Sequence, residues 1–413
     1  MKHIGIDLHK RSFTVAELHP DGTVEIYEVT LDNEMSVDIF LHGLSADDKV
    51  AFEATTNSHF LYRLIKPIVK EVVIVHPKRM RAIAESLSKT DAKDAEILAR
   101  TLASGLLKGS YVPPPDVQAM RGLLGHRHKT VGKKTSVKNR IHALLGSYGF
   151  TSPLADLFGK AGRSAIEKVK DLLPPVTQVE LASCMRAIEW HEVEVRELDE
   201  HLATQALSDP YVDLLMTIRG VNVVTALSIS AYIVDISRFA SGKKLAAYAG
   251  IVPIVRNSKG KKYCGPITKA GPPVLRWALI EAAQSLVKED GPARNLYRRM
   301  LRRRGESSEV KGKALVACAN MLTRIIWKML SEGIPYKNYN ASLYKRKTAK
   351  VQKMAKPYRH SLDESWNPSA LTPSTRKFPS LSETESPEIA RLHMIHEIMR
   401  NAGEKRKVKK KAS

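Results

Sequence analysis

Two aspartates, Asp91 and Asp94, stand three residues apart in the stretch KTDAKDAE, directly before an apolar run that recurs at helical spacing. Positions i and i+3 lie on one face of a helix, so both carboxylates can reach the same point in space. Taken alone, the stretch is more typical of a surface helix that Thr90 caps and whose first turn is acidic. The chemistry therefore depends on whether other carboxylates come to the same place.

Two further acids stand where apolar runs that are typical of core strands end. Asp7 lies near the end of Lys2–Leu8, and Glu53 directly follows Lys49–Phe52. Active sites of α/β sheets gather at the carboxyl ends of strands. A single carboxylate at such an end is commonly just solvated, and one that is buried costs free energy unless it is paired or binds a cation. Four together repel one another without a divalent cation, which predicts a metal site of the kind used in phosphoryl transfer.

The elements that would position these acids suggest a mixed sheet covered by helices. Three strands, at Lys2–Leu8, Phe13–Leu18 and Thr23–Val29, are predicted to form an antiparallel meander with a turn at Pro20-Asp21-Gly22. Alternating helices and strands follow. The predicted helices are Ser36–Leu44, Asn57–Val69 and Lys78–Leu87, and the predicted strands are Lys49–Phe52 and Glu71–Val75.

Charge is the outlying property of the composition. The 413 residues carry a formal net charge of +23, with an otherwise ordinary balance of 43% apolar and 26% charged residues. A surplus of this size favours polyanions, nucleic acid first and an anionic membrane second. No run of about 18 apolar residues occurs, so no membrane span is expected. Three widely spaced cysteines indicate neither a disulfide framework nor a zinc site, and they fit a reducing cytoplasm.

Prolines at Val112–Pro115 break the chain and predict a domain boundary. The helix predicted beyond them, Asp116–Leu145, combines an apolar stripe with a basic face that no nearby acid in the sequence balances. A basic face is usually only solvated, but in so positive a chain it is a candidate nucleic-acid contact. The residues chosen for that contact are Lys133, Lys134, Lys138 and Arg140. A second long helix, Val176–Leu207, is suited to a coiled coil or an interdomain arm.

The segment Leu214–Ala226 reads as two apolar helices around a turn that contains Gly220. Such a helix-hairpin-helix can hold a DNA phosphate on its turn amides, with Arg219 and Asn222 beside it. The alternative is a simple αα-hairpin. Further on, Pro273–Lys288 and Lys313–Met329 are predicted helices, and five arginines between residues 298 and 304 form a candidate polyanion contact. Beyond Tyr339 the chain becomes rich in Pro, Ser, Thr and Lys, and a largely disordered tail is predicted.

The four acids and their flanks, GIDLHK, AFEAT and KTDAKDAEILAR, resemble the D-E-D-D pattern of the RuvC-like domain in DEDD transposases of bacterial insertion sequences, the insertion-sequence-110 family. The resemblance implies a ribonuclease H-type fold for the first domain. It also implies that Asp7, Glu53, Asp91 and Asp94 are catalytic and bind Mg²⁺, with Mn²⁺ as a possible substitute.

The stretch from Arg238 to Gly271 resembles the C-terminal transposase domain of the same family. The shared pattern is Y-A-G-x-x-P, S-x-G-K, I-T-K-x-G and L-R, which ends at Arg276. The family's nucleophilic serine corresponds to Ser258. Serine is a weak nucleophile that must be activated, and nearby cations would neutralise a phosphate under attack. These cations are Arg256, Lys259, Lys261, Lys262 and Lys269.

The match departs from the family pattern at two places. Pro272 stands where Asn usually follows the glycine, and Lys259 stands where Gly is common after the serine. A rival nucleophile is Ser241, which we interpret as the N-cap of the helix through Tyr248.

The sequence thus predicts four regions: a RuvC-like metal-binding domain at 1–111, a basic helical or coiled-coil linker at 112–210, a mostly α transposase domain with a helix-hairpin-helix and the serine at 211–340, and a basic tail at 341–413.

The resemblance implies recombination of donor and target DNA through a covalent phosphoserine link. It further implies a homo-oligomer, a dimer or tetramer, and a structured bridge RNA that chooses the DNA sites. The alternatives are a RuvC-like nuclease that hydrolyses branched DNA with water, and a nucleic-acid-binding protein with a catalytically dead fold. The dead fold would lack a carboxylate, and none is lacking.

Overall fold

A computed structural model of the chain describes residues 1–77, 90–150, 154, 156–258 and 261–358. For residue 34 and for residues 256–258 and 261–263 it describes the backbone alone. The described residues fall into two compact units, 1–113 and 114–358, each considered by itself. The helix predicted at Lys78–Leu87 and the tail beyond residue 358 lie outside the described residues.

The first unit is built on a five-stranded mixed sheet with the order β3-β2-β1-β4-β5. Strands β1, β2 and β3 form the predicted antiparallel meander, and β4 and β5 continue from β1 as parallel strands. The strands are β1 (His3–Leu8), β2 (Ser12–Leu18), β3 (Val24–Thr30), β4 (Lys49–Glu53) and β5 (Glu71–Val75). The described helices of this unit are α1 (Glu34–His42), α2 (Ser58–Ile65) and α3 (Asp91–Ala103). This mixed sheet, followed by a mostly helical region, fits the expected ribonuclease H-like domain.

Helix α3 lies unusually close to the middle of the sheet. Gly5 on β1 is paired with Ala16 on one side and Ala51 on the other, so three small residues form a row across three strands. A Cβ atom on Gly5 would lie 2.0 Å from the carbonyl oxygen of Ala95 and 2.5 Å from the backbone nitrogen of Ala99. Only glycine permits this approach, because any side chain would occupy the space that the helix backbone fills.

The second unit is almost entirely helical. Its helices are α4 (Pro115–Ser147), α5 (Lys160–Lys170), α6 (Pro175–Ala206), α7 (Pro210–Met216), α8 (Val223–Ile233), α9 (Gly242–Tyr248), α10 (Pro273–Leu286), α11 (Pro292–Arg304), α12 (Ser308–Glu332) and α13 (Ala341–Ala355). A two-stranded antiparallel hairpin, β6 (Pro253–Ser258) and β7 (Lys261–Ile267), lies between α9 and α10. The main apolar core joins α7 to α10 with α12, and α4 and α6 pack along each other as an antiparallel pair.

Helix α12 is long and apolar enough to cross a membrane by length and composition. Its apolar face, however, lies in the core of the second unit, where Cys318, Leu322 and Ile326 are fully buried. Contacts with α9, α10 and α11 cover that face. The helix is therefore accounted for as the central core helix of this unit.

The structure differs from the predicted disordered tail over residues 341–358. Asn340 caps α13 by accepting a hydrogen bond from the backbone nitrogen of Leu343 at 2.9 Å. Val351 and Ala355 are buried in the main core. The sequence obscured this helix because its apolar residues are few and are separated by lysines, so its stability comes from packing rather than from a visible apolar stripe.

We expect Gly5→Ala to destabilise the first unit by about 1–3 kcal/mol, the usual cost of overpacking, because α3 must move off the sheet. The matched control is Gly43→Ala in the same unit. Gly43 has φ of −74°, and its added Cβ would come no closer than 3.4 Å to a backbone oxygen. Chemical denaturation of both variants measures the difference, and equal stabilities would show that the close approach is not needed.

Candidate functional site

The sheet places Asp7 and Glu53 side by side. Strands β1 and β4 are paired in parallel up to Ile6 and Phe52, and the next residue on each strand is an acid. Side chains two residues apart on a strand share a face. Asp7 therefore lies on the face of Gly5, and Glu53 on the face of Ala51, which is the face that α3 covers. Both side chains are half-buried.

The other two acids enter from the first turn of α3. Thr90 caps this helix as predicted, since its hydroxyl accepts a hydrogen bond from the backbone nitrogen of Lys93 at 3.3 Å. The cap fixes where the helix begins, and with it the positions of Asp91, which is exposed, and Asp94, which is half-buried. Both acids also lie at the positive end of the helix dipole, which favours carboxylates.

The electrostatics of Asp7 show that each of the other three acids interacts with it. Burial raises the pKa of Asp7 above its ordinary value, and the nearby positive potential of His9 opposes this shift. The negative charges of Asp91, Asp94 and Glu53 raise the pKa of Asp7 further. The structure thus brings the four sequence-predicted carboxylates into one electrostatic cluster at one end of the interface between α3 and the sheet.

His9 belongs to the same cluster, although sequence reasoning did not select it. Its Nε2 atom lies 3.0 Å from a carboxylate oxygen of Asp91 and 3.4 Å from one of Asp7. Asp7, His9 and Asp91 offer ligand atoms that all lie within 4.8 Å of one another. The sequence feature that could have identified His9 as a site residue is its position two residues after Asp7 in GIDLHK. The side-chain amide of Asn57 donates to the carbonyl oxygens of His9 and Lys10, which fixes this turn.

This donor set fits a divalent cation. Carboxylate oxygens are hard ligands that suit Mg²⁺ and Mn²⁺, and a nearby imidazole is more typical of Mn²⁺ than of Mg²⁺. The cluster contains four acids, and the negative charges of Asp91, Asp94 and Glu53 raise the pKa of Asp7 beyond the effect of its burial. Charge compensation by a cation would relieve their mutual repulsion.

The predicted nucleophile lies on the β6–β7 hairpin, which sequence reasoning did not predict. The backbone of Ser258 pairs with that of Lys261 at the end of the hairpin. The side chains of Arg256, Ser258, Lys261 and Lys262, and the whole of Lys259, lie outside the described residues. The structure therefore describes the position of this serine through its backbone alone.

The base of the hairpin explains two of the three glycines in the matching pattern, Gly250 and Gly271. A Cβ on Gly271 would lie 1.8 Å from the carbonyl oxygen of Tyr248, and one on Gly250 would lie 2.8 Å from the backbone nitrogen of Gly271. Two backbone segments thus cross in direct contact. At this crossing Lys269 is exposed and has a φ of 49°, a conformation that is rare for a lysine. Its backbone nitrogen donates to the carbonyl oxygen of Gly250 at 3.1 Å, which holds it there.

The rival serine, Ser241, occupies the N-cap position of α9 as interpreted from the sequence. Its side chain makes no capping hydrogen bond. Its carbonyl oxygen accepts from the backbone nitrogens of Lys244 and Leu245. The side chain of Ser241 therefore contributes less to the helix than the sequence suggested.

The predicted helix-hairpin-helix corresponds to α7, a turn at residues 217–222, and α8. Gly220 adopts a φ of +79°, and its added Cβ would lie 2.1 Å from the Cβ of Ser285. Asn222 is the N-cap of α8, because its side chain accepts from the backbone nitrogen of Thr225 at 2.9 Å. Arg219 forms an ion pair with Glu289 and is otherwise half-exposed. Both predicted residues thus already have structural partners.

Helix α13 holds this turn from behind. The Lys347 ammonium donates to the carbonyl oxygens of Met216 and Ile218 at 2.8 and 2.6 Å. Burial lowers the pKa of Lys347 to about 8, and the charge of Arg219 lowers it in the same direction. The hydroxyl of Thr217 accepts from the backbone nitrogen of Tyr336. A segment that the sequence predicted as tail is therefore part of the hairpin's support.

The basic face of α4 is less unbalanced than the sequence suggested. Acids from α6 reach it: Arg127 forms a two-pronged ion pair with Asp199, and Arg140 pairs with Glu180 at 2.6 Å. These partners are 72 and 40 residues away in the chain, so no local pattern could reveal them. The expectation of a face without balancing acids is wrong for these two arginines.

The three predicted lysine contacts on α4 differ from one another. The Lys138 ammonium lies 4.7 Å from the centre of the Phe158 ring, a cation–π contact. Lys133 is exposed and Lys134 is half-buried, and neither forms an ion pair with an acid among the residues the structure describes. Of the four residues chosen from sequence, these two keep the character expected of a nucleic-acid contact.

Two family models match the chain. A model of the DEDD transposases of IS110 elements, described as "Transposase", matches residues 4–150 and so contains all four acids. A second, described as "Transposase IS116/IS110/IS902 family", matches residues 212–298, which contain the hairpin and Ser258. The two matches occur in the order that the sequence resemblance predicted.

Individual relatives agree over most of their lengths. The chain is 28% identical to a putative transposase of Sinorhizobium fredii over 345 residues, which is 81% of this chain and 85% of the relative. It is 26% identical to the transposase for insertion sequence element IS1328 of Yersinia enterocolitica, over 80% of this chain and 97% of the relative. It is 27% identical to the transposase for insertion sequence element IS1111A of Coxiella burnetii, over 70% and 79%. With both halves matched in order and the D-E-D-D acids in place, the chain belongs to the IS110 family of DEDD transposases.

Proposed function

We propose that the chain is a Mg²⁺-dependent DNA recombinase that moves an insertion sequence through a covalent link between Ser258 and DNA. The observation that carries the proposal is the convergence of Asp7, Glu53, Asp91 and Asp94 at one end of the α3–sheet interface. Transposases act on DNA, and their DEDD domain suggests a divalent metal. The proposal adds three features to that assignment: magnesium as the metal, a serine as the nucleophile, and the partners described below.

In this proposal the four carboxylates hold Mg²⁺, which when bound would neutralise charge on the scissile phosphate. Asp7 and Glu53 supply ligands from the rigid sheet, and Asp91 and Asp94 supply them from the capped end of α3. His9 orients Asp91 and Asp7 through its contacts at 3.0 and 3.4 Å. Because the ligands come from a sheet and a helix in direct backbone contact, their geometry is set before DNA arrives.

The hydroxyl oxygen of Ser258 would attack the scissile phosphorus. A phosphorus–oxygen bond to serine forms as the bond to the departing DNA oxygen breaks, and the proton lost by the serine is balanced by one gained by the departing hydroxyl. One phosphodiester replaces another, so a new DNA hydroxyl can later reverse the step without an external energy source. The basic residues around the hairpin, among them Arg256, Lys259, Lys261, Lys262 and Lys269, would neutralise the phosphate under attack.

The proposal includes two partners that the family resemblance implies. A structured bridge RNA would select donor and target DNA, with Lys133 and Lys134 on α4 as its candidate contacts. A homo-oligomer would pair the metal domain of one protomer with the serine of another. The large positive charge of the chain is consistent with binding two kinds of nucleic acid.

The alternative is a RuvC-like nuclease that cuts branched DNA with water. One observation supports this nuclease alternative: the four-acid cluster is complete within residues 1–113 and needs no residue of the second unit. Water as nucleophile would give a simple cut and no protein–DNA link, and this is the difference that an experiment can detect.

The carboxylate cluster predicts a metal-dependent stability. MgCl2 or MnCl2 should raise the melting temperature of the wild-type protein, and Asp7→Asn should abolish that rise together with strand cleavage. Without metal, Asp7→Asn should be at least as stable as wild type, because one member of a mutually repelling set has lost its charge.

The matched control is Asp116→Asn, which removes an acid from the first turn of α4, where the described part of the chain contains no such cluster. It should keep both the metal response and the activity. Normal recombination by Asp7→Asn or by Asp91→Asn in Mg²⁺ would contradict the assigned roles.

Ser258→Ala should eliminate both recombination and any DNA-linked protein band on a denaturing gel, while the rise in melting temperature with Mg²⁺ persists. Ser241→Ala is the control and should change little, because that side chain makes no capping hydrogen bond. If adducts persist in Ser258→Ala and vanish in Ser241→Ala, the nucleophile is Ser241 and the assignment of Ser258 is wrong. Cleavage without any adduct in wild type would favour the hydrolytic alternative.

Lys133→Glu with Lys134→Glu should weaken binding of the structured RNA and reduce the slope of log affinity against log salt by roughly 1.4 to 1.8, since each phosphate contact contributes about 0.7–0.9. Arg140→Gln should affect RNA binding less, because that guanidinium is paired with Glu180. Filter binding over a salt series measures both. An unchanged slope in the double variant would mean that these lysines are only solvated.

A further inference from the structure

The most concentrated unpaired charge among the described residues is on α11 (Pro292–Arg304), where the sequence predicts a polyanion contact and which lies outside the metal cluster and the serine hairpin. Five arginines fall within its last seven residues, and the helix contains no acid. They are Arg298, Arg299, Arg302, Arg303 and Arg304, and all five are exposed. We refer to them as the α11 arginines.

The α11 arginines have no described ion-pair partner, whereas their basic neighbours do. Arg294 pairs with Asp290, Lys313 with Glu309, and Lys311 with Glu306. The available acids of this region are therefore already engaged with other cations. Five guanidinium groups within two turns repel one another, so the arrangement costs stability unless an anion binds.

The orientation of the helix places four of these arginines on its outer face. At 100° per residue, Arg298, Arg302, Arg299 and Arg303 cover an arc of about 140°. The opposite side packs inward, where Ala293 is buried and Leu296 and Tyr297 contact the main core. The thiol of Cys318 donates to the carbonyl oxygen of Ala293 at 3.3 Å, which anchors the helix on α12. The charged face is thus presented by a helix that is fixed to the core.

A helix C-terminus favours cations, and this explains part of the pattern. The effect acts within the last turn, which contains Arg302, Arg303 and Arg304. It does not account for Arg298 and Arg299, which lie one turn earlier on the outer face. The family match ends at residue 298, so four of the five arginines lie outside the segment that the family model covers.

We propose that the α11 arginines form a docking surface for the phosphate backbone of double-stranded DNA, used without regard to base sequence. This rests on the proposed function, since it assigns the DNA substrate to a particular surface. Arginine pairs with phosphate through two parallel hydrogen bonds, and rows at i and i+4 allow successive phosphates of a strand to be engaged. Duplex DNA is the partner favoured here because the substrate of a transposase is DNA.

The test compares two triple variants with the same change in charge on neighbouring helices. Arg299→Gln/Arg302→Gln/Arg303→Gln removes three unpaired cations, and Arg294→Gln/Lys311→Gln/Lys313→Gln removes three paired ones. Affinity of the full chain for a duplex of random sequence is measured by fluorescence anisotropy over a salt series. A structured RNA is measured in parallel, and circular dichroism checks that each variant is folded.

The expected result is that the arginine variant loses affinity for the duplex and that its log–log salt slope falls by roughly 2.7, three contacts at about 0.9 each. The control variant should lose clearly less. Equal losses in the two variants, or a loss confined to RNA, would overturn the assignment of this surface. A wild-type protein that binds no duplex would instead contradict the proposed function itself, so the two failures are distinguishable.

Discussion

The contact between Gly5 and helix α3 is the constraint on which the first unit depends. The helix backbone lies where a side chain on Gly5 would be, and the flanking Ala16 and Ala51 extend the same shallow surface across three strands. Because Asp7 and Glu53 each lie two residues beyond this row, and Asp91 and Asp94 begin the helix that covers it, one close packing contact determines where all four acids lie. Any movement of α3 off the sheet would move the helix acids away from the strand acids.

The packing of α3 on the sheet opposes the electrostatic repulsion between the four carboxylates. The apolar core draws α3 onto the sheet, and in doing so it holds like charges together. The pKa of Asp7 is raised first by burial and then by the charges of Asp91, Asp94 and Glu53. The repulsion within the cluster therefore lowers the stability of the fold, whereas the same carboxylates are suitable ligands for a cation. The second unit shows the same contrast at other places: Arg127 and Arg140 on α4 and Lys313 on α12 are paired with acids, whereas the α11 arginines have no described acidic partner.

Much of the first unit could be predicted from sequence, because its signals are local. Apolar runs predicted the five strands, Thr90 predicted the start of α3, and the acids at the strand ends indicated the candidate site. What escaped prediction depends on residues far apart in the chain. The ion pairs of α4 come from α6, the hairpin support by Lys347 comes from a segment with few apolar residues, and the β6–β7 hairpin has a polar, lysine-rich sequence that carries no strand pattern. His9 was missed although it is close in sequence, because its role is visible only once Asp91 lies beside Asp7.

The central claim is that the Gly5 contact builds one metal site from four carboxylates. It is tested most directly by titrating Mn²⁺ into Gly5→Ala and Gly43→Ala proteins and following the free ion by electron paramagnetic resonance. Both variants keep every carboxylate, so any difference reports on geometry. The account predicts that Gly43→Ala binds Mn²⁺ like wild type and that Gly5→Ala, confirmed as folded, binds it at least tenfold more weakly. Wild-type affinity in Gly5→Ala would contradict it.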